Sequence, residues 1–211
     1  MFASDSNKST SSDYRYEGTS ITYAAPSIPN SNLYSSTSYS WTSTIDGVIK
    51  NEGSNESLLY EIPMIGESTE KSIDIAVVIK GTPIDTLTLP IDTTIHYTLH
   101  VYKTPNVEPN EYHSVIYVNQ NTDLSFTQVG GKSDSWSYLW NNGSTSNAHK
   151  FTTNQAGEYD ITVSIKNSLG NSDTLLDYSK TLTYHVKVLP ACSVAHNQDT
   201  ISYRYAGQTI T

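Results

Sequence analysis

The sequence predicts an all-β protein built as tandem antiparallel β-sandwiches. Three observations predict it. Val, Ile and Tyr alternate with Ser and Thr at a period of two residues, the pattern of strands with one buried face. No segment sustains an apolar period of 3.6 residues, so no long helix is expected. Short segments recur along the chain at spacings that fit two related units within its 211 residues.

The strands follow from alternation and from the turn residues that bound them. Residues 1–12 are rich in Ser, Asn, Asp and Lys and are expected to be disordered. The first unit spans 13–104, with strands over 14–23, 36–43, 57–62, 72–80, 84–90 and 94–103. Lys103-Thr-Pro-Asn-Val-Glu-Pro-Asn110 contains two prolines, which a central ladder rejects, so this stretch reads as a linker or a linking strand, with the linker placed at 105–111. The second unit spans 112–190, with strands over 113–119, 122–128, 135–140, 148–152, 158–166 and 180–188. Residues 191–211 read as a tail, or as the first strand of a further repeat.

The recurrences support that division. Tyr14-Arg-Tyr-Glu-Gly-Thr-Ser-Ile-Thr22 returns as Tyr203-Arg-Tyr-Ala-Gly-Gln-Thr-Ile-Thr211, an offset of 203 − 14 = 189. Asp74-Ile-Ala-Val-Val-Ile-Lys80 returns as Asp160-Ile-Thr-Val-Ser-Ile-Lys166, an offset of 160 − 74 = 86. Ser38-Tyr-Ser-Trp41 matches Ser137-Tyr-Leu-Trp140, an offset of 140 − 41 = 99. Half of the long offset is close to the ~100 residues of an immunoglobulin-like domain. A lone copy of an opening strand has unpaired backbone groups, so 199–211 is expected to be loose, or to add to a sheet edge of a neighbouring molecule.

Alternation also assigns the faces. Tyr159, Ile161, Val163 and Ile165 share one side of their strand, and Trp136, Tyr138 and Trp140 share one side of theirs. Immunoglobulin-like folds bury a Trp on the third strand, so Trp41 and Trp140 are expected in the cores. Trp136 stands at a strand end, where an aromatic can leave the core.

Trp140-Asn-Asn-Gly143, then His149 and Phe151, then Gly157, Tyr159, Ile161, Val163 and Asn167, with Gly170 in the following turn, resemble the PKD domain and the looser PKD-like modules of bacterial surface and secreted proteins. The resemblance covers about residues 135–172. Residues 13–104 keep Trp41, Gly66 and the Asp74–Lys80 strand but lack the Gly turn, like a diverged relative. Asn141 and Asn142 stand where the PKD turn is acidic, so no metal role is carried over. The resemblance implies immunoglobulin-like sandwiches that space, present or bind rather than catalyse.

Composition agrees with exposed sheets: the chain holds 30 Ser, 26 Thr and 16 Tyr against 3 Phe. Its 12 basic and 21 acidic residues give a net charge of −9, which argues against nucleic acid as a partner, since that affinity rests on phosphate neutralisation. No apolar run reaches the roughly 20 residues of a membrane-spanning helix. A single cysteine, Cys192, excludes an internal disulfide. No export signal is visible, which reads as removal of one or as a slice of a longer protein.

No catalytic constellation is apparent, and no cofactor or metal site is expected. Ser68-Thr-Glu-Lys71 fits Ser-x-x-Lys, but that pairing needs a helix and this segment is a turn. His96 and His100 share a strand face, yet four residues at ~3.3 Å hold them too far apart for one ion. Asn7, Asn55 and Asn142 open formal sequons. Asp85-Thr-Leu, Asp92-Thr-Thr, Asp173-Thr-Leu and Asp199-Thr-Ile resemble a bacterial O-glycosylation motif. Tyr34, Tyr60, Tyr112 and Tyr178 are the candidate aromatic contacts for a glycan or protein ligand, which is itself unknown.

Three function classes follow. The first is a non-catalytic extracellular spacer or adhesive array of a bacterial cell-surface protein, partnered by neighbouring repeats. The second is an accessory carbohydrate- or protein-binding module of a secreted enzyme or nutrient-capture lipoprotein. The third is a viral or phage decoration or filament subunit.

Overall fold

A computed structural model describes residues 9–170 and 176–191. Strands make up most of the described residues, with a short 3-10 turn at Ser31–Leu33. Residues 192–211 of the expected tail, Cys192 among them, lie outside the described residues, as do residues 1–8 of the expected disordered segment and Asn7.

The first sandwich contains β1 (Ser9–Tyr16), β2 (Ser20–Ala24), β3 (Tyr34–Ile45), β4 (Val48–Gly53), β5 (Ser57–Glu61), β6 (Glu70–Pro83) and β7 (Ile91–Tyr102). One sheet runs β1-β7-β6-β3-β4, and β2 pairs with β5 opposite it. The second contains β8 (Asn106–Pro109), β9 (His113–Tyr117), β10 (Asn121–Val129), β11 (Trp136–Trp140), β12 (Ala148–Thr152), β13 (Gly157–Asn167) and β14 (Tyr178–Leu189). Its sheets run β11-β13-β14-β9 and β12-β10-β8. Each sandwich closes over its own cluster of buried side chains, one centred on Trp41 and the other on Trp140.

Several sequence expectations are corrected here. Residues 14–23 form two strands, because the chain turns at Glu17-Gly18-Thr19 and crosses from one sheet to the other. β1 already begins at Ser9, so 9–12 are not the expected disordered segment. Residues 84–90 are a loop: Asp85 Oδ1 accepts from the backbone N–H of Leu87 (3.0 Å) and Thr88 (2.8 Å), an Asx turn that takes the backbone out of the ladder. Within the expected linker 105–111, residues 106–109 take the strand alternative as β8, with Val107 fully buried in the second core. Pro109 is tolerated there, since β8 lies at the edge of its sheet, and Pro105 precedes the strand. β4 is a strand beyond those expected, and Asp46-Gly47 announces it: both residues have positive φ, 51° and 80°, as a two-residue hairpin turn requires.

The sandwiches are also not purely antiparallel. β1 runs parallel to β7, and β9 runs parallel to β14. A period of two marks a strand without telling its direction, so alternation could not show this.

The cores share a register. Trp41 pairs with Val77, the fourth residue of Asp74–Lys80; Trp140 pairs with Val163, the fourth of Asp160–Lys166. Each indole nitrogen donates to a backbone carbonyl at 2.8 Å, that of Asn55 in the first sandwich and Ser146 in the second. Tyr97 and Tyr184 pair with Ile75 and Ile161 and pack on the two Trp rings at 6.1 and 5.7 Å. Their hydroxyls cross to the opposite sheet, donating to Ala24 O (3.1 Å) and Ser125 O (2.8 Å). Each tyrosine thereby fills the core and satisfies a polar tip at once.

Burial pushes the hydroxyls of Tyr16, Tyr102 and Tyr184 up to about 12 from their ordinary 10. The raised value means the folded state keeps protons that the unfolded chain releases. Their contribution to stability is therefore complete below pH 10 and is lost as pH rises from 10 to 12. Urea midpoints should stay level from neutrality to about pH 9 and then fall steeply, with phenolate absorbance rising alongside unfolding. A midpoint unchanged at pH 12 would contradict the burial of these hydroxyls.

Candidate functional site

The most constructed polar feature of the described chain is the seam between the sandwiches. Only Lys103, Thr104 and Pro105 separate β7 from β8. Glu17, buried at the β1–β2 corner, holds this connection: its Oε1 accepts from Thr104 N–H (3.3 Å) and its Oε2 from Ile65 N–H (2.9 Å). Thr104 Oγ1 donates back to Glu17 O at 3.2 Å. A carboxylate out of water is costly unless it is satisfied in this way.

Asn167, fully buried at the end of β13, is the clamp. Its Nδ2 donates to Lys132 O and its Oδ1 accepts from Lys132 N–H, both at 2.8 Å. Tyr16 Oη reaches across the seam to Asn167 Oδ1 at 2.9 Å and to its carbonyl at 3.0 Å. The adjoining Gly130 and Gly131 cannot be replaced: a Cβ would stand 2.5 Å from Thr104 O and 2.8 Å from Asn167 Oδ1, and φ is +69° and +70°. Tyr16, Tyr102 and Leu169 form a buried cluster here, with Tyr14, Leu176 and Tyr178 packed against it. Lys132 Nζ lies 5.2 Å from the centre of the Tyr14 ring.

The residues singled out from sequence do not converge. Tyr60 is buried in the first core, Tyr178 is half-buried at the seam against Trp136, Tyr34 is half-buried beside the 84–90 loop, and Tyr112 is exposed. They form no shared platform. Trp41 and Trp140 are fully buried, as expected. Lys71 pairs with Asp46 across the β3–β4 turn, far in character from a base for Ser68. His96 Nδ1 lies 2.9 Å from Asp74 and His100 Nδ1 3.4 Å from Glu70, so each faces a carboxylate of β6. Asp85 is held below the usual carboxylate range by hydrogen bonds, first from the Thr88 side chain and then from backbone; the motif serves a turn here. Asp92 lies 3.8 Å from Lys80, while Asp173 and Asp199 lie outside the described residues.

Sequence reasoning missed one juxtaposition. The parallel β9–β14 pair sets His113 opposite His185, with rings stacked at 5.2 Å, and His185 Nδ1 lies 2.6 Å from Asp160 Oδ1. The signal was absent from local spacing, because the two histidines are 185 − 113 = 72 residues apart. The row is open to solvent, where such pairs contribute little. Among the described residues, no group of three or more His, Cys, Asp or Glu is arranged to hold a metal ion. No helix among them is long and apolar enough to cross a membrane.

No family model matches the chain, and no curated protein does. Among solved structures, it is similar to the N-terminal four Ig domains of Dscam1 isoform 7.44, at 11% identity over 89% of this chain and 45% of that one, with a TM-score of 0.41. It is also similar to the N-terminal eight Ig domains of Down Syndrome Cell Adhesion Molecule isoform 1.30.30, at 10% identity over 84% of this chain and 22% of that one, TM-score 0.40. The chain spans less than half the length of either. The immunoglobulin-like assignment rests on the strand order and the two cores rather than on these similarities.

Proposed function

We propose that the chain is a non-catalytic spacer segment of an extracellular array, the structural or adhesive part of a bacterial cell-surface protein. The observation that carries this reading is the seam. A flexible tether needs no buried Asn clamp, no satisfied buried glutamate and no Gly130-Gly131 pair moulded to the connection. A stiff spacer needs all three, because inter-domain motion is the default unless the interface opposes it. The matched registers of Trp41 and Trp140 support reading the two sandwiches as copies of one unit, the economical way to build length. The bacterial surface placement draws on the PKD-like pattern of residues 135–172.

The test is backbone NMR relaxation. Both sandwiches should report one rotational correlation time, and antibodies to the chain should label intact source cells. Two clearly different correlation times would mean a flexible linker and would sink the spacer reading.

A further inference from the structure

The seam has two halves, and the strand register locates each half a second time, unused. On one side stand Tyr14 and Tyr16 of β1 with Tyr102 at the end of β7. On the other stand Lys132, Leu176 and Tyr178 of the second sandwich.

The second half recurs on the first sandwich. Gly81 pairs with Ile91 as Asn167 pairs with Tyr178, so Ile91 takes the place of Tyr178 and Leu89 that of Leu176. Leu33 precedes Trp41 by 41 − 33 = 8 residues, as Lys132 precedes Trp140 by 140 − 132 = 8. Leu33, Leu87, Leu89 and Ile91 line one open groove of about 510 Å³. Among the described residues nothing covers it: Leu87 is 92% exposed and Leu89 70%. Contiguous apolar surface of this kind is unusual on a protein that works alone.

The first half recurs on the second sandwich. Tyr117 pairs in parallel with Leu189 as Tyr16 pairs with Tyr102, and Val115 precedes Tyr117 as Tyr14 precedes Tyr16. Here too the side chains are uncovered, Val115 at 64% and Tyr117 at 44%. The groove lies at the start of β7 and this patch at the end of β14, so one chain presents complementary halves at opposite ends.

We propose that the Leu33–Leu87–Leu89 groove docks the Val115–Tyr117 patch of a second copy of this chain, head to tail, repeating between molecules the seam that exists within one. The proposal rests on the spacer reading and names its partner. The intermolecular seam is more apolar than the internal one, since Gly81 replaces Asn167 and Leu33 replaces Lys132. Such a contact joins unlike surfaces, so each docked copy still offers a groove or a patch to a further one, in an open filament or a ring.

Sedimentation velocity of the full chain from about 10 µM to about 1 mM tests it, because a contact that is tethered within the chain needs high concentration when free. The average mass should climb past that of a dimer. Leu87→Asp/Leu89→Asp and Val115→Asp should each stay monomeric with unchanged circular dichroism; all three side chains are exposed, and Tyr117→Ser substitutes if Val115→Asp misfolds. An equimolar mixture of the two variants should form dimers and stop there, since only one intact groove meets one intact patch. A dimer abolished by the groove variant but untouched by the patch variant would be tip-to-tip and would overturn the proposal. A chain monomeric at the highest concentration would overturn it too, and would leave the spacer reading standing if the sandwiches still share one correlation time.

Discussion

Trp140→Ala should lower the stability of the second sandwich by about 3–5 kcal/mol, and Trp41→Ala should do the same to the first. Each ring is fully buried and contacts aromatic neighbours: Trp140 has Phe126 at 6.4 Å and Tyr184 at 5.7 Å, and Trp41 has Tyr23 at 6.5 Å and Tyr97 at 6.1 Å. Truncation removes apolar burial, leaves a cavity between two sheets that cannot collapse far, and orphans the carbonyl of Ser146 or Asn55. Urea unfolding followed by far-ultraviolet circular dichroism checks it. A wild-type midpoint in Trp140→Ala would place that ring outside the core, against its burial.

Asn167→Ala should cost about 2–4 kcal/mol, because the Lys132 N–H and C=O both lose their buried partner. Tyr16 keeps the Asn167 carbonyl as an acceptor, so its loss is smaller. The effect differs in kind from that of the Trp variants. Asn167 fixes the Gly130–Lys132 turn against the connection, so its removal should also uncouple the sandwiches in scanning calorimetry, splitting one transition into two. Asn167→Asp should fare no better, since a carboxylate cannot donate to Lys132 O. A variant with an unchanged single transition would show that the clamp is dispensable.

Much of this protein is legible in its sequence, for reasons that are local. Side chains alternate across a strand, so the period of two exposed most strands and the inward face of β13. A large aromatic at the centre of an alternating segment can hardly be anything but core, so Trp41 and Trp140 were readable. Asp46-Gly47 carries the β3–β4 hairpin as a local turn signal. Residues 84–90 misled because Ile, Leu and Thr alternate there as in a strand, while Asp85 spends its carboxylate on the loop's own backbone.

What pairs with what is another matter. Pairing depends on atoms far apart in sequence, and no local pattern encodes them. Asn167 stood out as the last residue of a recognisable pattern, but its task became visible only when folding brought it to Lys132 and to Tyr16, 167 − 16 = 151 residues away. The parallel course of β1 and β9, the use of 106–109 as an edge strand, the meeting of His113 with His185, and the two uncovered halves of a seam all follow from register between distant strands. The sequence by itself determined the strands, their buried faces and the two cores, because burial of alternating side chains is decided within each segment. Only the tertiary structure decided how the segments join, because a hydrogen bond or an apolar contact between remote residues exists only once the chain has closed the loop between them.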